Sequence, residues 1–372
     1  MTRTKDGSSL AQKLSIRMCW KSCALYALPA ERATKLTQGA GPSRLEHAKG
    51  GDTSEFARFR QIYMTNKLKH LAVTAIIAAS VGAVYAGPPV PSHTIEGNSG
   101  ALITSTAYLI NPAEKRDIFG TPSISATALF FVEKDFESFA IVENLWGNME
   151  IGYAYERLGL GGWTDDAKNA LGVTIDQHLG LHNLNLRYMA IEEGDFDLTW
   201  MPAVTFGAHL KWNESQTKLD QDTTVIPAFG GLLDQLGSDH SRGVEFTVVA
   251  SEMIYDLLPW PLMVSAGLRN GDAIQTGLLG FAGERSTTFE GSVIAFLTDD
   301  LAIGAEYRQK PDFLDAYSIR GYDLVKREKD WFIMSLAFSI NEMTVAGAYA
   351  NFARLFDRSE DNVFGVQLKY DF

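Results

Sequence analysis

The sequence predicts an all-β protein, an antiparallel up-and-down transmembrane β-barrel of about 12 strands, with 14 as the second choice. The final segment from Phe364 alternates apolar with small or polar residues and stops at Phe372, which gives a strand one apolar face and one polar face. Tight and long connections alternate along the chain, and two hairpins sort their apolar residues onto one side. A barrel that presents one face to lipid and the other to its lumen accounts for all three observations.

An export signal begins at residue 64. A basic start with Lys67 and Lys69 is followed by a short apolar stretch and then by Ala86 at the predicted cleavage position. This order is typical of a secretory signal peptide over residues 64–86, and a membrane anchor is the alternative. Residues 1–63 precede this signal and lack sustained periodicity, so we interpret them as an over-extended start or a disordered leader.

The composition after the predicted cut limits the possible functions. Residues 1–86 hold 13 of the 33 Lys and Arg and 5 of the 45 Asp and Glu, so residues 87–372 carry a net charge of −20. Nucleic acid is not an expected partner, because phosphate contacts need a basic face. Both cysteines, Cys19 and Cys23, lie before the cut. The exported part is therefore expected to lack disulfides, thiolate nucleophiles and cysteine metal sites.

The predicted barrel domain spans residues 123–372. Its twelve strand-like segments are 123–132, 138–145, 149–158, 178–191, 196–212, 243–255, 262–269, 287–297, 301–308, 331–340, 343–353 and 363–372. Residues 87–122 form an N-terminal segment that we expect in the periplasm or the lumen. The apolar stretch 101–110 within it would make the strand count odd if it were a single extra strand, which is unusual in bacterial barrels. We expect it to be an inner segment or one of two extra strands.

Connection lengths follow a regular order. The tight connections are 146–148, 193–195, 256–261, 298–300 and 341–342, and the long ones are 159–177, 213–242, 270–286, 309–330 and 354–362. An up-and-down membrane barrel has short turns at its periplasmic rim and long loops outside. A soluble sandwich has no reason to keep this alternation.

Residue pairing across the hairpins provides an independent check. In the hairpin that turns at 298–300, the predicted register sets Glu290 opposite Arg308, so that opposite charges meet on the polar side. In a second hairpin, which turns at 341–342, the predicted register sets Phe338 opposite Val345 on the apolar side. Both hairpins therefore separate into an apolar face and a mostly small or polar face.

The same alternation assigns ten polar side chains to the lumen: Arg187, His209, Lys211, Glu245, Arg269, Glu290, Glu306, Arg308, Gln367 and Lys369. One interpretation is that these groups only neutralise one another in a polar interior. The other is that they line a conduit and set its selectivity. The pattern also predicts that arginine costs about 2–4 kcal/mol at the lipid-facing Leu368 if that position lies at mid-bilayer, and that the same change at Gln367 is mild.

No motif predicts a catalytic, metal or cofactor site, and the protein is not expected to be an enzyme. His178 and His182 share a strand face but lie roughly 13 Å apart at about 3.3 Å per residue, too far to bind one ion. The run 238–241 contains Ser, Asp and His, but adjacent residues in one loop cannot form a catalytic relay.

The run Gly304-Ala305-Glu306-Tyr307-Arg308-Gln309-Lys310-Pro311-Asp312, with Gly277-Leu278-Leu279-Gly280-Phe281 before it, resembles a bacterial exported family catalogued as a domain of unknown function (DUF3034-like). The resemblance spans most of the exported chain. It implies a location in the cell envelope and implies no chemistry. The strand pattern and the terminal Phe also resemble those of outer-membrane barrels in general.

The sequence therefore predicts a bacterial outer-membrane barrel that acts as a narrow channel or small-solute transport protein with a charged lumen. The alternative is a non-conducting structural or adhesion barrel that acts through its extracellular loops. The expected partners are outer-membrane lipid, small solutes, and the barrel-insertion machinery, which would recognise the last strand ending in Phe372.

Overall fold

The computed structural model describes residues 92–172, 176–215, 238–314, 316–319 and 321–372. The predicted leader, the predicted signal peptide and most of the predicted 213–242 loop lie outside the described residues.

Twelve antiparallel strands form one closed barrel, as the sequence predicts. Each strand pairs with its neighbours in chain order, and the last pairs with the first to close the ring. The strands are β1 Ser123–Phe130, β2 Asp135–Leu145, β3 Met149–Gly159, β4 His178–Ile191, β5 Ala203–Asn213, β6 Arg242–Ile254, β7 Leu262–Ala273, β8 Phe281–Phe296, β9 Leu301–Arg308, β10 Trp331–Ile340, β11 Met343–Asn351 and β12 Val363–Asp371.

The two rims of the barrel differ in the length of their connections. The short-turn end holds 146–148, 192–202, 255–261, 297–300 and 341–342, together with the first residue of β1 and the last of β12. The long-loop end holds 131–134, 160–177, 214–241, 274–280, 309–330 and 352–362. The predicted alternation is confirmed for most connections, but the connection predicted to be tight at 193–195 spans 192–202, and the one predicted to be long at 270–286 spans only 274–280. By the usual orientation of such barrels the short-turn end is periplasmic.

Several short elements lie outside the twelve barrel strands. Helix α1, Trp163–Leu171, lies in the connection between β3 and β4, where the sequence indicated no helix of normal length. Three two-stranded hairpins pair Ser92–His93 with Ser99–Gly100, Tyr317–Ile319 with Tyr322–Val325, and Arg354–Leu355 with Arg358–Ser359. Two short 3-10 turns cover Asp195–Asp197 and Ile274–Gly277. Within the described part of the chain, no helix is both long enough and apolar enough to cross a bilayer.

Three predicted strand boundaries are wrong by four residues or more, the start of β5, the end of β7 and the start of β8. β5 begins at Ala203 instead of residue 196, because Phe196 and Asp197 adopt positive φ angles of 63° and 59° and Pro202 offers no N–H to a ladder. Most of the predicted 270–286 loop is strand: β7 continues to Ala273 and β8 starts at Phe281, with a register shift on the way. A bulged hairpin keeps pairing where a strict alternation of apolar residues has already ended.

The predicted hairpin registers are confirmed. Glu290 lies opposite Arg308 and Phe338 lies opposite Val345. Along the strands, large apolar side chains face outward and stay exposed, as at Phe206 (50%), Phe246 (54%) and Leu336 (51%). Their exposure all round a closed sheet gives the barrel an apolar exterior suited to lipid.

Apolar side chains from several connections form a cap over the long-loop end. The indole of Trp163 packs on Phe356 with ring centres 5.4 Å apart and donates a hydrogen bond to the Leu324 carbonyl at 2.8 Å. The cap also contains a buried ion pair between Lys310 and Glu328 at 3.4 Å. Burial raises the pKa of Glu328 and lowers that of Lys310, because each charge loses water, and the pairing of the two charges opposes both shifts.

Candidate functional site

Residues 92–110, here called the lumen segment, lie inside the barrel. They form hydrogen bonds or ion pairs with side chains of β1, β2, β3, β4, β5, β6, β7, β9 and β12, such as Ser125, Ser138, Glu150 and Gln367. Nearly all of their residues are buried. A buried segment that contacts strands all round a closed ring must occupy its interior.

A tight turn lets the lumen segment reverse direction close to the wall. The Thr94 N–H donates to the Asn98 carbonyl at 2.9 Å, and the Gly97 N–H donates to the Thr94 carbonyl at 3.0 Å. Gly97 has φ of 81°, and a Cβ there would lie 2.7 Å from the Cβ of Ala154. Glycine is therefore required both by the backbone conformation and by the close approach to β3.

Glu96, at this turn, is the centre of an ionic network. Its carboxylate contacts Arg308 at 2.7 Å and Arg269 at 3.2 Å, and it also pairs with Lys211. Arg269 binds two wall carboxylates as well, Glu245 at 2.9 Å and Glu290 at 3.1 Å. The five wall residues lie on five successive strands, β5 to β9, so a single glutamate of the lumen segment connects a large part of the barrel wall. All six side chains are almost wholly buried.

A second wall carboxylate, Glu306, binds the backbone of the lumen segment. It accepts N–H bonds from Leu102 at 2.9 Å, Ile103 at 2.8 Å and Thr104 at 2.9 Å, and a hydroxyl bond from Thr104 at 3.0 Å. Three successive amides directed at one carboxylate form a nest, which is a common way to bind an anion. The bonds to this one side chain fix the middle of the lumen segment.

Arg187 and Glu150 bind the part of the lumen segment between Ser99 and Ile110. They pair at 2.9 Å. Glu150 accepts the backbone N–H groups of Ser99 and Ile110, each at 3.0 Å. Arg187 donates to the Ser99 carbonyl at 3.1 Å and to the carbonyl of Thr106. The pair thus holds two distant points of the lumen segment together.

The remaining predicted lumen residues occupy separate places. Gln367 accepts the His93 N–H at 3.1 Å and donates to the His93 carbonyl at 2.8 Å, as a neighbouring strand would. His209 contacts wall side chains, Asn185 at 2.6 Å and Thr247 at 2.9 Å. Lys369 lies near the short-turn end and pairs with Asp371 at 3.0 Å. The structure therefore brings together Lys211, Glu245, Arg269, Glu290 and Arg308, and leaves His209, Gln367 and Lys369 outside that network.

Sequence reasoning missed the functional residues of the lumen segment itself. Glu96 stands in the run Glu96-Gly97-Asn98-Ser99-Gly100, which reads as an ordinary exposed turn. The available signal was the unusual number of inward charges on the strands. Buried charges must be paired, and Lys211, Arg269 and Arg308 outnumber the wall carboxylates that pair with them, Glu245 and Glu290.

The interior has more carboxylates than basic groups. The inward-facing side chains of the described strands, counted together with Glu96, include seven of the former and five of the latter: Glu96, Glu150, Glu156, Glu245, Glu290, Glu306 and Asp371 against Arg187, Lys211, Arg269, Arg308 and Lys369. The formal charges of these groups sum to −2.

A closed antiparallel ring with an apolar exterior and a charged interior defines an outer-membrane β-barrel. This chain belongs to the family described as "Protein of unknown function (DUF3034)", whose model matches residues 91–368. No curated protein matches the sequence.

Several solved barrels resemble the chain. The KdgM porin is 10% identical over 67% of this chain and 99% of its own, with a TM-score of 0.41. LpxR from Salmonella typhimurium is 9% identical over 67% and 100%, with a TM-score of 0.40. An outer membrane channel from Pseudomonas putida F1 is 9% identical over 71% and 98%, with a TM-score of 0.38. At these levels the likeness is one of barrel architecture and carries no argument about solute or activity.

Proposed function

We propose that the protein is an outer-membrane channel for small solutes, without enzymatic activity, and that its own lumen segment keeps it narrow or closed. The observation that carries this proposal is the kind of bond that holds the segment. The wall binds it mainly through Glu306, Glu150, Arg187 and the network around Glu96. Polar bonds of this kind can be exchanged for bonds to water, so the segment can leave the wall without unfolding the barrel.

The barrel itself does not depend on the lumen segment for its backbone bonding. All twelve strands pair with each other in a closed ladder. Loss of the segment would expose inward side chains to water but would leave every interstrand bond in place. Such a barrel remains stable in lipid because no sheet edge is left unpaired.

Planar-bilayer conductance tests the proposal. Glu306→Ala removes the four hydrogen bonds to Leu102, Ile103 and Thr104, so we expect openings that are larger and more frequent than those of the wild-type protein. Ser292→Ala is the matched control, because Ser292 lies directly opposite Glu306 and its hydroxyl bonds to nothing among the described residues. A correctly folded Glu306→Ala protein that conducts no better than the control would contradict the proposal.

The second candidate is a non-conducting barrel that acts through its extracellular loops. It is favoured by the apolar cap at the long-loop end, which meets the lumen segment at Ile95, Leu102 and Ile103. If this candidate is correct, neither Glu306→Ala nor Ser292→Ala opens a pore. Substitution of exposed residues in the connections that form the cap then changes adhesion or envelope stability.

We further propose that the barrel-insertion machinery recognises β12 through its end at Phe372. The Phe372 ring is about half exposed and packs edge-on against the ring of Tyr370, with ring centres 5.1 Å apart. The backbone N–H of Phe372 donates to the Pro122 carbonyl at 3.1 Å. We expect Phe372→Ser to reduce the heat-modifiable barrel in cells severalfold while refolding in detergent stays normal. Phe364→Ser, at the other end of the strand, is the control. Equal loss in cells and in detergent would show a role in stability instead.

A further inference from the structure

A large cavity opens at the short-turn end, here called the vestibule. Its volume is about 850 Å³, within the range of pockets that bind small organic molecules. The end of the lumen segment, from Tyr108 to Pro112, forms one side of it. The turns between β6 and β7 and between β8 and β9 form the other.

Aromatic and methionine side chains dominate the inner part of the vestibule. Tyr108, Met253 and Phe296 line it and pack on a buried apolar cluster that contains Ile294 and Ala302. Tyr255 and Trp260 also line it and are 63% and 43% exposed. Aromatic faces attract an organic cation as well as an apolar body.

The apolar floor continues toward the lumen. Next to Ile294 and Ala302, part of the inner wall of β9–β12 is formed by small side chains without charge: Gly304, Ser335, Ala337, Ala346, Ala348 and Gly365. A narrow gap separates this wall from Ala101 and Leu102 of the lumen segment. The charged side chains that bind the segment lie on β3, β4, β5, β7 and β9. The apolar cluster under the vestibule therefore borders this gap through Ile294 and Ala302.

The mouth of the vestibule is acidic. Asp299 and Asp300 line it and form no ion pair within the described chain, whereas Asp371 is neutralised by Lys369 at 3.0 Å. Glu193 lies at the edge, where it accepts the Tyr108 hydroxyl at 2.5 Å and the Met253 N–H at 2.9 Å. Unpaired carboxylates in a cavity that is also lined by aromatic rings favour a positively charged ligand.

We propose that the vestibule is a binding site for small organic cations with an aromatic or apolar body. We also propose that these are the solutes that the channel carries, a second step that rests on the proposed function. The cavity volume, the aromatic lining, the apolar floor and the sign of the charge at the mouth all fit this one class. Organic anions fit it poorly, because the unpaired carboxylates at the mouth repel negative charge.

Three probes of similar size separate the effects of charge and shape. We would measure the binding of benzyltrimethylammonium, benzyl alcohol and phenylmethanesulfonate to the protein in lipid nanodiscs by saturation-transfer NMR and calorimetry. We expect the cation to bind about tenfold more tightly than the alcohol, and the sulfonate not to bind. Equal binding of cation and alcohol, or no binding of the cation, overturns the proposal.

Two variants locate the site. Asp299→Asn/Asp300→Asn should weaken binding of the cation about tenfold and leave the alcohol unchanged. Asp165→Asn/Asp166→Asn, which removes the same charge from α1 at the other end of the barrel, is the matched control. Phe296→Ala should weaken both ligands. If neither double variant changes the binding of the cation, the assignment of the site is wrong.

Binding and conductance fail independently. Binding of the cation to a protein whose Glu306→Ala variant never conducts would defeat the channel function and leave the vestibule site standing. An open Glu306→Ala channel without cation binding in the vestibule would defeat this inference and leave the channel function standing.

Discussion

Replacing Glu96 with Gln should release the lumen segment from the barrel wall. The change leaves Lys211, Arg269 and Arg308 buried with one carboxylate fewer, and breaking a buried ionic contact costs about 3–5 kcal/mol when one partner remains charged. Because the barrel keeps its closed ladder, we expect this cost to appear as detachment of residues 92–110. Limited proteolysis in lipid should then cut the segment at least tenfold faster than in the wild type, since about 1.4 kcal/mol already gives a factor of ten.

Glu114→Gln is the control for this experiment. Glu114 lies just beyond the lumen segment, is exposed, and its side chain forms no hydrogen bond or ion pair among the described residues. It should leave the cleavage rate unchanged. If Glu96→Gln also leaves the rate unchanged, or lowers barrel stability without exposing the segment, the ionic network does not hold the segment in place.

Arginine on the exterior of β10 should show how deep each position lies in the bilayer. Leu336 is near the middle of the strand and exposed, so Leu336→Arg should cost about 2–4 kcal/mol. Ile340, at the short-turn end of the same strand and face, is the control, and the same change there should cost about 0–1 kcal/mol. Unfolding in urea in the presence of lipid measures both. Equal costs would contradict a membrane-spanning exterior.

The structure changes one expectation about substitutions inside the barrel. The sequence suggested that arginine at Gln367 would be mild, because a lumen position in an open channel can take a long polar side chain. Gln367 is 1% exposed and bonds to His93 on both its amide and its carbonyl. Arginine there would displace the lumen segment, so the change should be costly or should open the lumen.

The barrel could be predicted from the sequence because its constraints are local. Alternation along a strand such as β12 fixes which side meets lipid, and a tight turn such as 298–300 fixes the register of its hairpin. Pairing of Glu290 with Arg308 followed from counting residues. The predicted strand boundaries are wrong at β5 and at β7–β8, because positive φ angles and a bulge cannot be inferred from the apolar pattern.

The sequence offered an inner segment at 101–110 as one of two possibilities, but the bonds that hold it in the lumen could not be predicted in the same way. Glu96 lies 115 residues before Lys211 and 212 before Arg308, and no periodicity links positions so far apart. The ten inward side chains were recognisable as a set, but not their common partner. An irregular segment that packs against side chains leaves no repeat in its own sequence. The only indication of Glu96 was that Lys211, Arg269 and Arg308 outnumber Glu245 and Glu290, which implies one further carboxylate.

Reversible tethering of the lumen segment tests the central claim most directly. His93 and Ser125 meet at 3.0 Å, and both natural cysteines precede residue 24. His93→Cys/Ser125→Cys would therefore allow one new disulfide in the exported chain carrying Glu306→Ala. We expect the oxidised protein to remain closed in a planar bilayer and to conduct after addition of reductant. Conductance that is the same before and after reduction would contradict control of the pore by the lumen segment.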